Sequence, residues 1–534
     1  MARTTDGNPE RLAYNDRVDR LRRKEYRMLK GTTYLDHAGT TLPATSLVTQ
    51  FSHSLQTLLL ANPHSASASA PNTSHRIVEE TRLKVLKLFN ASPEHFDIVF
   101  VANATAGIKL VLEAFSGHDE GFDYYYHRNA HTSLVGVREH AASSHCFASD
   151  AEVEQWLQDE HSFSGDANTD RPTLFAYPAQ SNMNGRRLPL SWPAALRSTS
   201  QRLRTYSLLD VAALVSTSPL DLSDHAAAPD FTVMSFYKMF GFPNLGALIV
   251  RKSAAHVFDQ RRYFGGGTTE MITCIGTQWV AKKEKRLTDR LEDGTGATHS
   301  ILALHCAIDV HDMLYGGFSE ISKHTGWLAK TLYERLASLK HANGRPVCQI
   351  YKDPAATYGD ALTQGATVTF NISSSDGAWI SSWKVGQLAS SKNIHIRTGS
   401  LCNPAGMACA LGLSSSDVQR AYASGFRCGQ EADIREGIPF GMVRASFGAM
   451  STLEDVSIFA KFVQDHFVGK GLLNVDDNDE KRVKSEEMRR SEQSSTPSFE
   501  KPGLRLRPVR QQFWAKFGAC IPFRSRRPDV VSAH

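Results

Sequence analysis

Phe231-Thr-Val-Met-Ser-Phe-Tyr-Lys238-Met-Phe-Gly241 runs from a short β-favouring segment into a lysine and stops at a glycine. Residues 231–234 are too few for a helix and read as a buried strand. Outward from this stretch the same kind of segment recurs: Ile98-Val-Phe-Val101, Thr173-Leu-Phe-Ala-Tyr177, Tyr206-Ser-Leu-Leu209 and Ala247-Leu-Ile-Val250. Helical patterns lie between and beyond them, as in Ala106-Gly-Ile-Lys-Leu-Val-Leu-Glu-Ala-Phe115 and in residues 301–315. Strands alternating with helices predict an α/β fold, with a mostly parallel central sheet flanked by helices.

In such sheets ligands bind beyond the carboxyl ends of the strands, so the residues that follow each strand are the informative ones. Ala102-Asn-Ala-Thr-Ala-Gly107 enters a helix. It reads either as an ordinary N-cap or as an anion site, made from backbone N–H groups and the Thr105 hydroxyl. Pro178-Ala-Gln-Ser-Asn182 follows the second strand, Asp210 ends the third, and Ser235 and Lys238 follow the fourth. A strand-end Asp is commonly a cap, and a single Lys is commonly a surface charge. Together they supply what pyridoxal 5'-phosphate requires. A lysine forms the Schiff base, a carboxylate keeps the ring nitrogen protonated, and a helix start takes the phosphate.

Further stretches carry a resemblance: Tyr34-Leu-Asp-His-Ala-Gly-Thr-Thr41, Leu174-Phe-Ala-Tyr-Pro-Ala-Gln-Ser-Asn182, Leu209-Asp-Val-Ala-Ala-Leu-Val-Ser-Thr-Ser-Pro-Leu-Asp-Leu222 and Phe264-Gly-Gly-Gly-Thr268. His395-Ile-Arg-Thr-Gly399, Cys402-Asn-Pro404 and Val443-Arg-Ala-Ser-Phe-Gly448 complete the set. Over about residues 31 to 468 the chain resembles the N-terminal, desulfurase-like half of eukaryotic molybdenum cofactor sulfurases. These belong to the class V aminotransferase group of fold-type I pyridoxal-phosphate enzymes. The resemblance implies a PLP-dependent transferase with a large domain and a smaller α+β domain. It implies L-cysteine as substrate, a sulfur acceptor such as the molybdenum cofactor or its carrier protein, and a homodimer.

By that resemblance Lys238 is the Schiff-base lysine, Asp210 the partner of the pyridine nitrogen, and Asn182 faces the ring's phenolic oxygen. His131, in Ala130-His-Thr-Ser133, stacks on the ring and moves protons. Thr105 and Ser235 bind the phosphate, and Thr268 reaches the phosphate of a partner subunit. Arg444 grips the substrate carboxylate, for which a planar guanidinium is suited; Arg397 assists it or orders the loop. Without the motif, either arginine would read as a surface ion pair. Cys402, in Arg397-Thr-Gly-Ser-Leu-Cys402, is the sulfur acceptor, a thiolate expected on a mobile loop. Cys409 and Cys428 are expected to be packing residues.

The chain departs from the family pattern in places. Ser400 and Leu401 stand where the family has Cys and Phe, Tyr237 stands where many class V enzymes have His, and Phe242-Pro-Asn-Leu-Gly246 is one residue short. A charged tail is expected in place of the family's C-terminal cofactor-binding domain. A related class V enzyme acting on another amino acid or a C–S bond is the alternative function. A non-catalytic scaffold is a third, disfavoured because it would need none of Lys238, Asp210, His131 and Arg444.

Composition frames these expectations. At 534 residues the chain is too long for one small domain. The expected divisions are a helical arm (1–30), a PLP-binding domain (31–318), a small domain carrying the Cys loop (319–470) and a charged, disordered tail (471–534). The net charge of +5 is spread out, with its densest basic runs at the ends, so no nucleic-acid partner is expected. Eight cysteines without CxxC pairs predict neither a metal site nor a disulfide framework. Acidic residues among the first 30 spoil a transit peptide, and no apolar run spans a bilayer, so no membrane partner and a cytoplasmic location are expected.

Overall fold

The computed structural model describes residues 8–62, 72–158, 171–198, 204–431 and 433–469. The tail expectation falls outside them. A seven-stranded sheet dominates the first part. Its strands are β1 (Phe96–Val101), β2 (Asp123–His127), β3 (Ser143–Phe147), β4 (Thr173–Pro178), β5 (Thr205–Asp210), β6 (Phe231–Ser235) and β7 (Gly246–Arg251). Their spatial order is β1-β7-β6-β5-β4-β2-β3. Only β7 runs against its neighbours; β1 and β2 to β6 all point one way, so their carboxyl ends share one edge.

Alternating side chains explain the burial of both faces. Ile98, Phe175, Leu209, Met234 and Ile249 face one core, which packs against Ile301, Leu302 and Leu304 of a long helix, Thr298–Tyr315. Val99, Leu174, Leu208, Val233 and Leu248 face the other, against Ile108, Val111 and Phe115 of the helix Ala104–Phe115. Gly107 lets that helix lie close, since a Cβ there would sit 2.9 Å from Val233 Cγ1. The strands expected from the sequence are all present. β2 and β3 were not among them, because Asp123-Tyr-Tyr-Tyr-His127 and Ser143-Ser-His-Cys-Phe147 contain no aliphatic run.

A second, antiparallel sheet of five strands comprises β8 (Cys348–Ile350), β9 (Thr367–Ser373), β10 (Trp379–Ile380), β11 (Arg397–Gly399) and β12 (Met442–Ser446). Val368, Phe370, Val443 and Ala445 pack beneath Leu328, Leu332, Val456, Phe459 and Val463. Those five come from the helices Phe318–Ser338 and Leu453–Phe467. The N-terminal segment forms the helix Pro9–Glu25, which breaks at Tyr26 before a short turn, Arg27–Leu29. Val18, Tyr26 and Leu29 are its buried side, and the Tyr315 hydroxyl donates to Tyr26 Oη at 2.8 Å. Thr33 and Tyr34 then pair in parallel with Ile394 and His395, which ties the arm to the segment leading into β11.

Candidate active site

Three segments leave the carboxyl edge of the large sheet and converge on Lys238. The lysine sits on a single helical turn, Tyr237–Phe240, between β6 and β7. Its amine is held below the ordinary lysine range, chiefly by burial. Asp210 works against this, Arg444 adds to it, and the charges of Cys402 and Asp36 also act on the amine. Asp210 is buried at the end of β5, and its Oδ1 accepts from the Ala212 N–H at 2.9 Å. His131, just beyond β2, is also pushed below its ordinary range by burial. Asp210 opposes that shift, and Lys238 and Arg444 reinforce it. Its Nδ1 accepts from the Ser133 backbone N–H at 3.1 Å, so the neutral ring carries its proton on Nε2.

The start of the helix Ala104–Phe115 is tied to the same edge. Ser235 Oγ accepts from the Ala104 N–H at 2.9 Å, and the Thr105 and Ser133 hydroxyls meet at 2.8 Å. Gly246 makes this approach possible: a Cβ there would lie 2.6 Å from Asn103 Cα. Hydroxyls and backbone donors gathered at a helix start form an anion site.

Arg444 comes from the second sheet, on β12, and is almost fully buried. It donates to Asp36 Oδ1 at 2.7 Å and to the Asn182 carbonyl at 2.8 Å, while its Nε finds no partner among the described residues. A buried guanidinium with an unsatisfied edge suits a further carboxylate. Arg397 lies directly across from it on β11 and is exposed.

Cys402 is exposed between β11 and the helix Pro404–Leu411. Leu401 and Cys402 both adopt left-handed backbone, φ +57° and +54°, which costs about 1–3 kcal/mol for each non-glycine residue. The expected mobile loop is docked in this structure. Asn182 Nδ2 donates to the Leu401 carbonyl at 2.7 Å, and the Thr132 N–H to the Cys402 carbonyl at 3.0 Å.

The structure therefore brings Lys238, Asp210, His131, Asn182, Arg444 and Cys402 together, with Thr105 and Ser235 at the neighbouring helix start and Arg397 beside Arg444. Thr268 is not among them: its hydroxyl donates to the Gly265 carbonyl at 2.8 Å and accepts from the Gly265 N–H at 3.1 Å. Cys409 and Cys428 are corrected. Both are exposed rather than packed; Arg128 donates to Cys409 Sγ at 3.4 Å, and Cys428 Sγ lies 2.8 Å from Ser400 Oγ. Sequence reasoning assigned no role to Asp36, Ser133 or Asn403. All three stand inside quoted motifs, but a motif does not say which neighbour a side chain meets.

The family model for class V aminotransferases matches residues 33–459. A molybdenum cofactor sulfurase from Chaetomium globosum is 53% identical over 468 residues, which is 88% of this chain and 60% of that protein. One from Aspergillus clavatus is 53% identical over 458 residues, 85% of this chain and 54% of that protein. The chain thus spans little more than half the length of the curated relatives it matches. Among solved structures, a cysteine desulfurase from Thermococcus onnurineus superposes with a TM-score of 0.63 at 18% identity, over 84% of this chain and 97% of that one. A cysteine desulfurase from Escherichia coli gives 0.61 at 17%, over 84% and 98%. These likenesses establish the shared fold.

Proposed function

The chain belongs to the class V aminotransferase family, and from that premise we propose that it is a pyridoxal-phosphate-dependent L-cysteine desulfurase, with Lys238 holding the cofactor and Cys402 taking the sulfur. One observation carries the reading: an exposed cysteine is docked at a half-buried lysine that feels the charge of a buried aspartate and of a buried arginine with a free edge. The donor set fits the cofactor. Lys238 supplies an amine readily made neutral, Asp210 a carboxylate for the ring nitrogen, and Thr105, Ser133 and Ser235 the hydroxyls for the phosphate. Asn182 spends one Nδ2 hydrogen on Leu401 and has a second for the ring oxygen.

When bound, the cofactor supplies an electron-accepting ring beside the substrate's α-carbon. Arg444 orients the substrate by its carboxylate, and Arg397 adds positive charge on the neighbouring strand. The Lys238 amine, held toward its neutral form, takes the α-proton, and His131, with its own proton on Nε2, would pass one on. Cys402 Sγ attacks the substrate sulfur, the C–S bond breaks with its electron pair left on carbon, that carbon takes up a proton, and a persulfide remains on Cys402. L-Alanine is the other product. Sulfuration of the molybdenum cofactor, directly or through a carrier, is the destination favoured by the relatives' names.

A homodimer and a cytoplasmic setting complete the proposal. The hairpin Thr269–Thr273/Trp279–Lys282, directly after Thr268, exposes Met271, Ile272, Ile275 and Trp279. Such a patch supports a protein contact, and it would carry Thr268 toward a partner's phosphate. Seven cysteines, all free among the described residues, support a reducing compartment. No helix among the described residues is long and apolar enough to cross a membrane. The division into a PLP domain and a small domain is retained as part of the proposal, supported by the separate cores beneath the two sheets.

The test is spectral and chemical. The purified protein should show a visible absorbance band that Lys238→Ala removes, and with L-cysteine it should release alanine and sulfide. A band without alanine would leave the cofactor reading standing and reject the substrate.

A further inference from the structure

Asn403 begins the helix Pro404–Leu411, and its Oδ1 accepts from the Gly406 N–H at 3.1 Å. That is ordinary capping, which Ser or Asp performs as well. The other end of the amide does something a Ser or Asp cannot. Asn403 is completely buried, and its Nδ2 donates to the Asn129 carbonyl at 3.0 Å and to Asn182 Oδ1 at 3.1 Å. Both acceptors belong to segments that leave the large sheet. Gly406 leaves room for this: a Cβ there would lie 2.4 Å from Asn403 Oδ1 and 3.3 Å from Asn129 Oδ1.

We propose that Asn403 is the positioning residue of Cys402, its Nδ2 latching the sulfur loop onto the segments that carry His131 and Asn182. What the thiol does once placed rests on the desulfurase reading, but the latch does not. Leu401 and Cys402 occupy left-handed backbone that these residues avoid unless their surroundings hold them there. Leu401 is held by burial with Met183, Tyr351, Met407 and Met442, and its carbonyl by Asn182. The Cys402 carbonyl is held by the Thr132 N–H. Asn403 secures both anchors. Its bond to Asn182 Oδ1 fixes which way that amide faces, so that Nδ2 points at Leu401. Its bond to Asn129 holds the loop against the segment that presents Thr132. The same Asn182 would face the cofactor, so the latch joins the thiol's position to the ring's.

Asn403→Ser and Asn403→Asp separate latch from cap, because both still accept from the Gly406 N–H and neither can donate as Nδ2 does. Two measurements on the full chain loaded with pyridoxal phosphate read the difference: amide exchange at Thr132 and within 404–411, and steady-state alanine formation from L-cysteine. In Asn403→Ser, Thr132 exchange should accelerate and kcat should fall, each by about tenfold, as expected for losing two buried hydrogen bonds. KM and the protection of 404–411 should stay as in the unmodified chain. Asn403→Asp should behave alike, which guards against a folding defect peculiar to either substitution. Unchanged Thr132 exchange and kcat in a folded Asn403→Ser would overturn the latch. So would loss of protection throughout 404–411, which would reduce Asn403 to a structural cap. If the unmodified chain makes no alanine, the desulfurase reading fails, and Thr132 exchange still decides the latch.

Discussion

Arg444 spends its two Nη groups on Asp36 and the Asn182 carbonyl and leaves Nε free. A lysine would keep the charge but not the planar fork. Arg444→Lys should therefore raise KM for L-cysteine by about tenfold or more, with the Lys238 absorbance band intact; an unchanged KM would place the substrate carboxylate elsewhere. At this scale the sequence was most legible where chemistry restricts residue type. Lys238 and Asp210 drew notice only in combination, and Cys402 only through the motif Arg397-Thr-Gly-Ser-Leu-Cys402. Asp36, Ser133 and Asn403 were hidden in plain view. Their types are common in turns, and only the fold reveals that Asp36 meets a guanidinium 408 positions away.

The elements were legible wherever both faces of a strand are buried. β6 is buried at every position, and its run of Phe, Thr, Val and Met reads as a strand without help. The edge strand β3, with Ser143 and Ser144 exposed, carries no such signal. The direction of β7 was equally invisible, since reversal depends on the ten-residue connection that holds Lys238 rather than on the strand's own composition. Gly246 gives a test at this scale. Its missing side chain admits Asn103, so Gly246→Ala must push the start of the helix Ala104–Phe115 away from Ser235. Pyridoxal phosphate should then bind about tenfold or more weakly by spectral titration; unaltered affinity would remove the phosphate from that helix start. The N-terminal helix gives another. Arg22 pairs with the almost fully buried Asp455, which also caps the helix Leu453–Phe467. Arg22→Ala leaves that carboxylate without its cation and should cost about 3 kcal/mol in urea unfolding. A change under about 0.5 kcal/mol would mark the arm as dispensable to the core.

His37, His311 and His324 are buried inside the molecule rather than at the site. Burial pushes His37 and His311 down to about 3 and His324 to about 4. All three are neutral in the folded chain at neutral pH, and unfolding frees each to bind a proton below about pH 6.5. The unfolded state therefore binds more protons between about pH 6.5 and the folded values, and stability is lost as pH falls through that window. At pH 5.5 the three together cost about 4 kcal/mol relative to pH 7.5. Urea midpoints at the two pH values check this, and equal midpoints would contradict it. None of these histidines was singled out in the sequence, because depth in a core is a property of packing. The long-range agreement between two sheets is likewise absent from any single motif, yet it is what carries Arg444 and Cys402 to the lysine.

Cys402 is proposed to take sulfur from L-cysteine at the Lys238 site. The most direct measurement is mass spectrometry of the Cys402 peptide after the protein, loaded with pyridoxal phosphate, meets one equivalent of L-cysteine, with alanine and pyruvate measured alongside. One added sulfur atom on Cys402 and matching alanine are expected, both lost in Cys402→Ala while the visible band persists. Pyruvate and free sulfide with an unmodified Cys402 would contradict it, and would make the protein a C–S lyase in which that thiol is a bystander.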